Sequence, residues 1–228
     1  DFCAQNDIEL GIGSWGEKRT VYTDKAFQSR FIEGQRRIHH LGVDLFMPAG
    51  TPLYTPLAAT VASVEIEHEP LGYGGLVKLE HHPENCPPFV TLWGHMAHEA
   101  LGRLKTGQKL QPGDLVGHMG DIDENGGWTP HLHFEMTTDV NLTATEILGV
   151  GEAAYLKVWA DLFPDVADLA GIPPETFAQE GRSRGEIIER RKDVLLPNLS
   201  ISYSEPIKFV RGDGAWLIDD RGRAYLDC

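Results

Sequence analysis

Short runs of strand-forming residues, separated by Gly and Pro, constrain the fold of this chain more than any other feature of its sequence. From Arg19 to Met136 these runs are rich in Val, Ile, Leu, Thr and Tyr, and no long stretch has the periodicity of a helix. The connections between them carry turn-forming residues, such as Pro48-Ala49-Gly50 and Asn125-Gly126-Gly127. The pattern predicts a mainly β domain with one short helix at about residues 96–104. The predicted strands cover residues 41–46, 52–54, 60–67, 76–81, 89–94, 115–119 and 131–136.

The pattern changes after residue 141. Apolar residues between positions 144 and 162 recur at spacings of three and four, which predicts an amphipathic helix, although Gly149 and Gly151 weaken that prediction. A second helix is predicted to begin at Ser183, which has capping-box spacing to Glu186, and to end at Pro197. We therefore divide the chain into a lead-in (1–18), the β domain (19–145), a helical connector (146–196) and a final segment (197–228), in which strands are predicted at 207–210, 215–218 and 224–226.

Charge and hydropathy narrow the range of partners. The 228-residue chain is 41% hydrophobic and 24% charged, as expected for a globular protein, and its 34 acidic and 20 basic residues give a formal charge of -14. This excess of negative charge disfavours binding to nucleic acid or to anionic lipid. Apolar runs such as residues 147–150 are far shorter than the roughly 20 residues that cross a bilayer. We therefore expect neither a nucleic acid partner nor a membrane partner.

The first residues and the cysteines bear on the compartment. Residues 1–7 contain neither a Met nor the basic and apolar regions of a secretory signal, so we expect the chain to be cut from a longer one. The three cysteines, Cys3, Cys86 and Cys228, are odd in number and widely separated. This spacing predicts reduced thiols rather than a disulfide framework or a CxxC metal site.

One histidine motif, HxGxD, coincides with a predicted strand. The side-chain period of two in a strand would place His40, Gly42 and Asp44 on one face. Gly42 would then leave open space between the two polar side chains, in which a metal ion could lie. A surface pair or a helix start explains His40 and Asp44 equally well when they are taken alone.

A second motif, HLHFE, places His131 and His133 on one face of another predicted strand. If that face were plain core, each ring without a hydrogen-bond partner would cost about 1–3 kcal/mol, whereas metal coordination removes this cost. Two His and one Asp are ligand types expected of Zn2+, and three protein ligands leave a fourth position for water, as catalytic zinc requires. A third motif, GHM, places His95 just after an apolar strand, where a lone histidine is more often a turn residue than a catalyst.

Taken together and in this order, HxGxD, GHM and HLHFE resemble the lysostaphin or LytM type of zinc metallopeptidase, which cleaves peptide cross-bridges of bacterial cell walls. The resemblance covers about residues 19–136 and implies an antiparallel β-sheet sandwich with a groove. Such a fold is related to the barrel-sandwich hybrids of lipoyl and biotinyl carrier domains, but the modifiable lysine of those carriers is absent. The resemblance also implies a peptide or amide substrate.

The roles of individual residues follow from this resemblance. It implies that His40, Asp44 and His133 bind Zn2+, that His131 is the catalytic base, and that His95 polarises or protonates the tetrahedral intermediate. Members of the family often add a tyrosine near the oxyanion, and the sequence does not indicate which tyrosine this would be. The other histidines match no position of the family and are interpreted as surface or loop residues: His39, His68, His81, His82, His98 and His118.

The end of the chain carries a second resemblance. Tyr203-Ser204-Glu205-Pro206-Ile207, Arg211-Gly212-Asp213-Gly214 and the sequence DDRGRAYLD at residues 219–227 resemble the opening of a class III pyridoxal phosphate aminotransferase. This implies a fusion protein with an adjoining aminotransferase domain, in which pyridoxal phosphate binds only the full-length chain. It also favours a cytoplasmic location.

Two functions therefore remain open from the sequence. The first is a zinc-dependent endopeptidase or amide hydrolase. The alternative is a non-catalytic or regulatory zinc-binding module of a cytoplasmic pyridoxal phosphate enzyme.

Overall fold

The computed structural model describes residues 10–20, 22–173, 207, 209–213, 216–219 and 224–226. The chain divides into two compact units, one up to Pro174 and one from Glu175 onwards. The predicted domain boundaries at residues 18, 145 and 196 remain predictions. No helix among the described residues is both long enough and apolar enough to cross a membrane.

The first unit consists mainly of short antiparallel strands. In chain order its strands and helices are β1 (Gly11–Gly13), β2 (Arg37–His40), β3 (Val43–Phe46), β4 (Pro52–Tyr54), β5 (Ala59–Ile66), β6 (Gly75–His81), β7 (Phe89–Met96), α1 (His98–Leu101), β8 (Lys109–Leu110), β9 (Leu115–His118), β10 (Leu132–Thr137), β11 (Val150–Glu152) and α2 (Leu156–Leu162). Single 3-10 turns occur at Lys25–Phe27, Ala144–Glu146 and Ala153–Tyr155. The mainly β antiparallel fold predicted from the sequence is confirmed.

One seven-stranded sheet forms the framework of this unit, in the order β1-β3-β10-β7-β6-β5-β8. Two ribbons, β2 with β11 and β4 with β9, complete it. Strand β10 lies between β3 and β7, so that His133 is directly opposite Asp44 on one side and Gly94 on the other. Because directly opposed residues project from the same face of a sheet, this register brings the HLHFE and HxGxD motifs together.

The core is closed by residues that follow the sheet in sequence. Leu41, Leu76 and Leu92 are fully or almost fully buried, and Ile147 and Phe163 pack in the same cluster. Burying a side chain of this size contributes about 1.5–3 kcal/mol. The segment after β10 therefore stabilises the sheet by packing against it.

The predicted helix over residues 144–162 is wrong in its first part. Instead, the chain makes a 3-10 turn, forms β11 and becomes helical only at Leu156. Gly151 lies in β11, where a Cβ atom would be 2.4 Å from Cδ1 of Trp159. The close packing of backbone against this indole explains the glycine, which the helical pattern did not explain. The predicted helix beginning at Ser183 lies outside the described residues.

Strands β1, β2, β8 and β11 were missed by the sequence patterns, whereas the predicted strands within residues 41–136 are present with small shifts at their ends. In the second unit, β12 (Phe209–Asp213), β13 (Trp216–Asp219) and β14 (Ala224–Leu226) form an antiparallel sheet in that order. This confirms the predicted strand character of the segment. The aminotransferase resemblance and the fusion remain predictions.

Candidate active site

Three side chains from different parts of the sequence converge beside the first residues of β10. Nδ1 of His133 is 3.0 Å from Oδ1 of Asp44 and 3.0 Å from Nε2 of His40. Nε2 of His40 is in turn 3.2 Å from the same Asp44 oxygen. One possible ligand atom from each residue lies within 4.8 Å of the others, and all three side chains are buried. The structure thus brings together the three residues expected to hold zinc.

The sequence argument that placed His40 and Asp44 on one strand was wrong in its detail. Strand β2 ends at His40 and β3 begins at Val43, and the two strands belong to different sheets. The space beside Gly42 is not open either, because a Cβ atom there would lie 2.8 Å from Cε1 of His133. The glycine is therefore required for the approach of the His133 ring, which itself brings a ligand atom to Asp44.

The hydrogen bonds around the two imidazoles decide which nitrogen atoms can bind a cation. Nδ1 of His40 lies 3.0 Å from the Ser14 carbonyl, which can only accept, and Nε2 of His133 lies 2.9 Å from Oε2 of Glu135. With protons assigned to these outer nitrogens, lone pairs remain on Nε2 of His40 and Nδ1 of His133. These two lone pairs and the Asp44 carboxylate point at one another, which is the arrangement that a divalent cation stabilises.

The pKa values of His133, Asp44 and His40 also indicate that the cluster favours a positive charge. Burial alone would lower the pKa of His133, but its hydrogen bonds with the carboxylates of Asp44 and Glu135 raise it to about 9. Burial alone would raise the pKa of Asp44, yet the neighbouring histidines hold it well below its usual range. Burial lowers the pKa of His40. The cluster therefore stabilises one positive charge at its centre, either a proton on His133 or a metal cation, and the residues present fit Zn2+.

The two histidines expected to act in catalysis lie beside this cluster. The rings of His95 and His131 are 4.3 Å apart, centre to centre, and Nε2 of His131 is 3.7 Å from Oδ2 of Asp44. Nδ1 of His131 donates to the Thr129 carbonyl at 2.7 Å, and Nδ1 of His95 donates to the Asn125 carbonyl at 2.8 Å. Each ring therefore keeps a lone pair on Nε2.

Burial lowers the pKa of both rings, and that of His95 falls well below its ordinary value. Both are accordingly neutral near pH 7. His95 also has a φ of 64°, which is rare for a residue with a side chain. Its N–H donates to the Tyr73 carbonyl at 2.8 Å and its carbonyl accepts from Gly120 at 2.9 Å. These bonds hold the unusual backbone that aims the ring into the site, as is typical of functional residues.

Tyr73 is a site residue that the sequence patterns missed. Its ring lies 5.4 Å from that of His133 and 5.7 Å from that of His95. Gly94 leaves room for it, since a Cβ atom there would be 2.7 Å from Cδ1 of the tyrosine. Burial raises the pKa of the Tyr73 hydroxyl well above its ordinary value, so the group stays protonated. The Gly72–Gly75 turn gave no signal that its tyrosine faces the site.

Two charged residues were also missed. Nη1 of Arg19 forms an ion pair of 2.6 Å with Oδ2 of Asp44 and donates to the Tyr22 hydroxyl at 2.8 Å. Its Nη2 lies 3.1 Å from Nδ1 of His40, a contact without a hydrogen bond when this nitrogen carries the proton that it donates to the Ser14 carbonyl. Arg19 thus holds the oxygen of Asp44 that faces away from His133. Glu135 could have been found from the sequence, because in β10 it shares a face with His133.

Among the remaining histidines, His81 is not a surface or loop residue as the sequence suggested. It lies at the end of β6 with 1% of its surface exposed, and it bonds to the Ala58 carbonyl at 3.0 Å and to Oγ1 of Thr91 at 2.9 Å. Both ring nitrogens are therefore satisfied, and His81 is a core residue. The structure places no other histidine in the cation cluster found among the described residues.

Replacing Glu135 by glutamine tests how the His133 ring is held. Glu135 is fully buried, and its negative charge keeps the proton on Nε2, which leaves Nδ1 free to bind metal. We expect Glu135→Gln to weaken zinc affinity about 10- to 100-fold, as loss of such outer partners usually does. Competition with a chromogenic chelator measures this change. Glu80→Gln, which alters an exposed His82 pair instead, should leave the affinity unchanged, and an unchanged affinity in Glu135→Gln would contradict the assignment.

A cleft of about 400 Å³ opens over these side chains. His40, Asp44, His95, His131 and His133 all line it, so the cation cluster and both neutral histidines face the same space. Trp128 and Tyr22 form part of its walls. A volume of this size can hold a short peptide segment, with the reacting bond next to the cluster.

The part of the chain that contains this site is similar to known proteins. Residues 38–144 match the sequence model of Peptidase family M23. The chain is 26% identical over 170 residues to the peptidoglycan DD-endopeptidase ShyC of Vibrio cholerae, covering 73% of this chain and 33% of that protein. The chain thus spans about a third of the length of this curated relative.

Solved structures with some similarity include two peptidases. The catalytic domain of lysostaphin from Staphylococcus simulans is 20% identical with a TM-score of 0.40, over 67% of this chain and 94% of that one. The catalytic domain of the M23 protein EnpA from Enterococcus faecalis is 25% identical with a TM-score of 0.35, over 49% of this chain and 87% of that one. The match to the family model includes the five residues predicted at the site, because His40, Asp44, His95, His131 and His133 all lie within residues 38–144.

Proposed function

We propose that this domain is a zinc-dependent endopeptidase that hydrolyses amide bonds in peptide cross-links of the peptidoglycan type. The observation that carries the proposal is the convergence of Nε2 of His40, Oδ1 of Asp44 and Nδ1 of His133 beside two neutral histidines. A zinc ion held by these atoms would lower the pKa of water and polarise a carbonyl group. The M23 match and the peptidoglycan endopeptidase relative favour this substrate class.

The chain's own residues supply the proton transfer. His131 has a free lone pair on Nε2, which lies 3.7 Å from Oδ2 of Asp44. The negative charge of Asp44 helps the ring to hold a proton. It can therefore take a proton from attacking water and return it to the leaving nitrogen. A positioned general base of this kind contributes about 10²- to 10⁴-fold in rate.

His95 has a different part in this arrangement. Its Nδ1–H donates to the Asn125 carbonyl, so the unprotonated Nε2 can accept a hydrogen bond in the cleft. Donation to an oxyanion by His95 would first require the ring to gain a proton, which its burial opposes. In the neutral state it can orient a water molecule, while the Tyr73 hydroxyl near the same rings stays protonated and donates to the Ile147 carbonyl at 3.3 Å.

Cleavage of purified peptidoglycan, followed with and without a chelator, tests the proposal. We expect new free amino groups to appear with the zinc-loaded protein, to stop after chelation and to return when zinc is added. Synthetic cross-linked stem peptides analysed by mass spectrometry identify the bond that is cut. Absence of cleavage of both substrates by protein that holds one zinc per chain would contradict the proposed function.

A further inference from the structure

We propose that Arg30 and Arg37 form a recognition site for a substrate carboxylate in the active-site cleft, so that the enzyme selects peptides with a free carboxylate near the scissile bond. This inference rests on the proposed function, which it deepens by naming the substrate class. Both arginines line the same cleft as the cation cluster. Their placement is notable in a chain with a formal charge of -14, whose overall field repels an acidic peptide.

A bulge in β2 directs Arg37 towards the site. Val150 of β11 is paired with His40 and Glu152 with Arg37, so that one extra residue, Ile38, is accommodated in β2. Residues 150 and 152 lie on one face of their strand, and directly opposed residues share a face. Arg37 therefore lies on the face of His40, whereas regular alternation would have put the two on opposite faces. Re-aiming of a side chain is a known effect of bulges beside active sites.

The two guanidinium groups lack a bound carboxylate among the described residues. Arg30 is exposed and makes neither a hydrogen bond nor an ion pair there, while Arg37 donates to the Ala26 carbonyl at 2.6 Å and its buried Nε has no partner. Burial and the positive charge of Arg30 lower the pKa of Arg37. Two like charges that face one cleft are costly to keep together, and an anionic ligand relieves that cost.

No nearby acidic residue in the described part of the chain forms an ion pair with Arg30 or Arg37. The negative charge of Glu152, opposite Arg37, acts to raise the pKa of that arginine, but its carboxylate accepts from the Ser29 hydroxyl at 2.7 Å and forms no ion pair among the described residues. Glu67 and Glu69 also line the cleft, but the Glu67 carboxylate accepts the Tyr73 N–H at 2.7 Å, and Glu69 is exposed and forms no ion pair with either arginine where the structure describes the chain. Arg19 differs from Arg30 and Arg37 in that its charge is matched by Asp44.

The distance along the strand sets the position of the carboxylate. Because the bulge takes up one residue, Arg37 and His40 lie opposite residues of β11 that are two positions apart, which is about 7 Å, or the length of about two residues of an extended peptide. With the scissile amide at the cation cluster, the recognised carboxylate thus belongs to a residue close to the cleaved bond. Two guanidinium groups can bind it by charge-assisted hydrogen bonds.

A pair of synthetic stem-peptide dimers tests this site directly. Both are cross-linked through diaminopimelate and differ only in the carboxylate of that residue next to the cross-link, which is free in one and amidated in the other. Binding is measured by calorimetry to zinc-loaded protein carrying His131→Ala, so that hydrolysis does not intervene. We expect the free carboxylate to bind about 10- to 100-fold more tightly, the range that a hydrogen bond to a charged group supplies.

Variants identify the residues responsible. Arg30→Gln should reduce the preference several-fold, and Arg30→Gln with Arg37→Gln should abolish it. Arg103→Gln, which removes the same charge from an exposed site outside the cleft, should leave the preference unchanged. Arg30→Gln keeps the test valid if changes at Arg37 prevent folding, because Arg30 is exposed and has no hydrogen bond or ion pair to lose in the described part of the chain. Equal binding of the two dimers by the protein with both arginines, or an undiminished preference in Arg30→Gln, would overturn the inference.

Failure of this site and failure of the proposed function give different results. If the native protein cleaves neither dimer while the binding preference holds, then the hydrolase proposal fails and the carboxylate site stands. If it cleaves both dimers and binds them equally, the hydrolase stands and the carboxylate site fails.

Discussion

Replacing His131 by alanine is expected to lower kcat/KM for peptide hydrolysis by about 10²- to 10⁴-fold while zinc stays bound. The change removes the Nε2 lone pair that accepts the proton, but it leaves the three residues of the cation cluster in place. Because the ring contacts Asp44 only at 3.7 Å, its loss does not take a ligand from the metal. Initial rates on a cross-linked peptide and the zinc content of the same sample measure the two effects together.

His82→Ala is the matched control, since this ring lies on the surface, away from the cleft, and forms an ion pair with Glu80. It should retain both native activity and native zinc content. A His131→Ala protein with undiminished kcat/KM would show that another group takes the proton. Loss of zinc from that variant would instead identify His131 as a ligand, and this would also contradict the roles assigned above.

Replacing Asp44 by alanine is expected to abolish zinc binding and activity and to destabilise the fold. The carboxylate provides one ligand atom through Oδ1 and balances the charge of Arg19 through Oδ2. The Arg19 side chain is only 12% exposed, so its charge would remain largely buried without a partner. Breaking such a buried pair lowers the free energy of unfolding by about 3–5 kcal/mol. Elemental analysis and urea denaturation measure the two losses.

The two effects of Asp44 can be separated by a milder change. Asp44→Asn keeps the shape of the side chain but removes its charge, and we expect it also to lose zinc. Asp123→Ala removes a carboxylate from an exposed position and should change neither zinc content nor stability. Native zinc affinity in Asp44→Asn would rule out the carboxylate as a ligand.

The sequence predicted much of the central sheet, and the five residues that it assigned to the site line one cleft. Apolar and polar side chains alternate along β10 with a two-residue period, whereas β7 is a mostly apolar run that is buried almost throughout. Within HLHFE the period alone places His131 and His133 on one face. The motif order, together with the family resemblance, then connected this strand with Asp44, which the structure places opposite His133.

Residues that reach the site by long-range packing could not be predicted in this way. Arg19 arrives from the segment before β2, and its contact with Asp44 has no local periodic signal. Tyr73 lies in a glycine-rich turn whose path depends on the neighbouring Gly94. The segment before α2 was misread because its apolar spacing suits a helix, whereas β11 pairs with β2 and packs on Trp159. In each case, tertiary contacts decided the local structure.

The most direct test of the central claim is a crystal structure of the zinc-loaded protein with data collected at the zinc absorption edge. We predict one anomalous peak per chain, about 2.0–2.2 Å from Nε2 of His40, Oδ1 of Asp44 and Nδ1 of His133. The Asp44 carboxylate should still contact Arg19 through Oδ2. A zinc peak bound by a different set of side chains, or no peak at this cluster in protein soaked with excess zinc, would contradict the account.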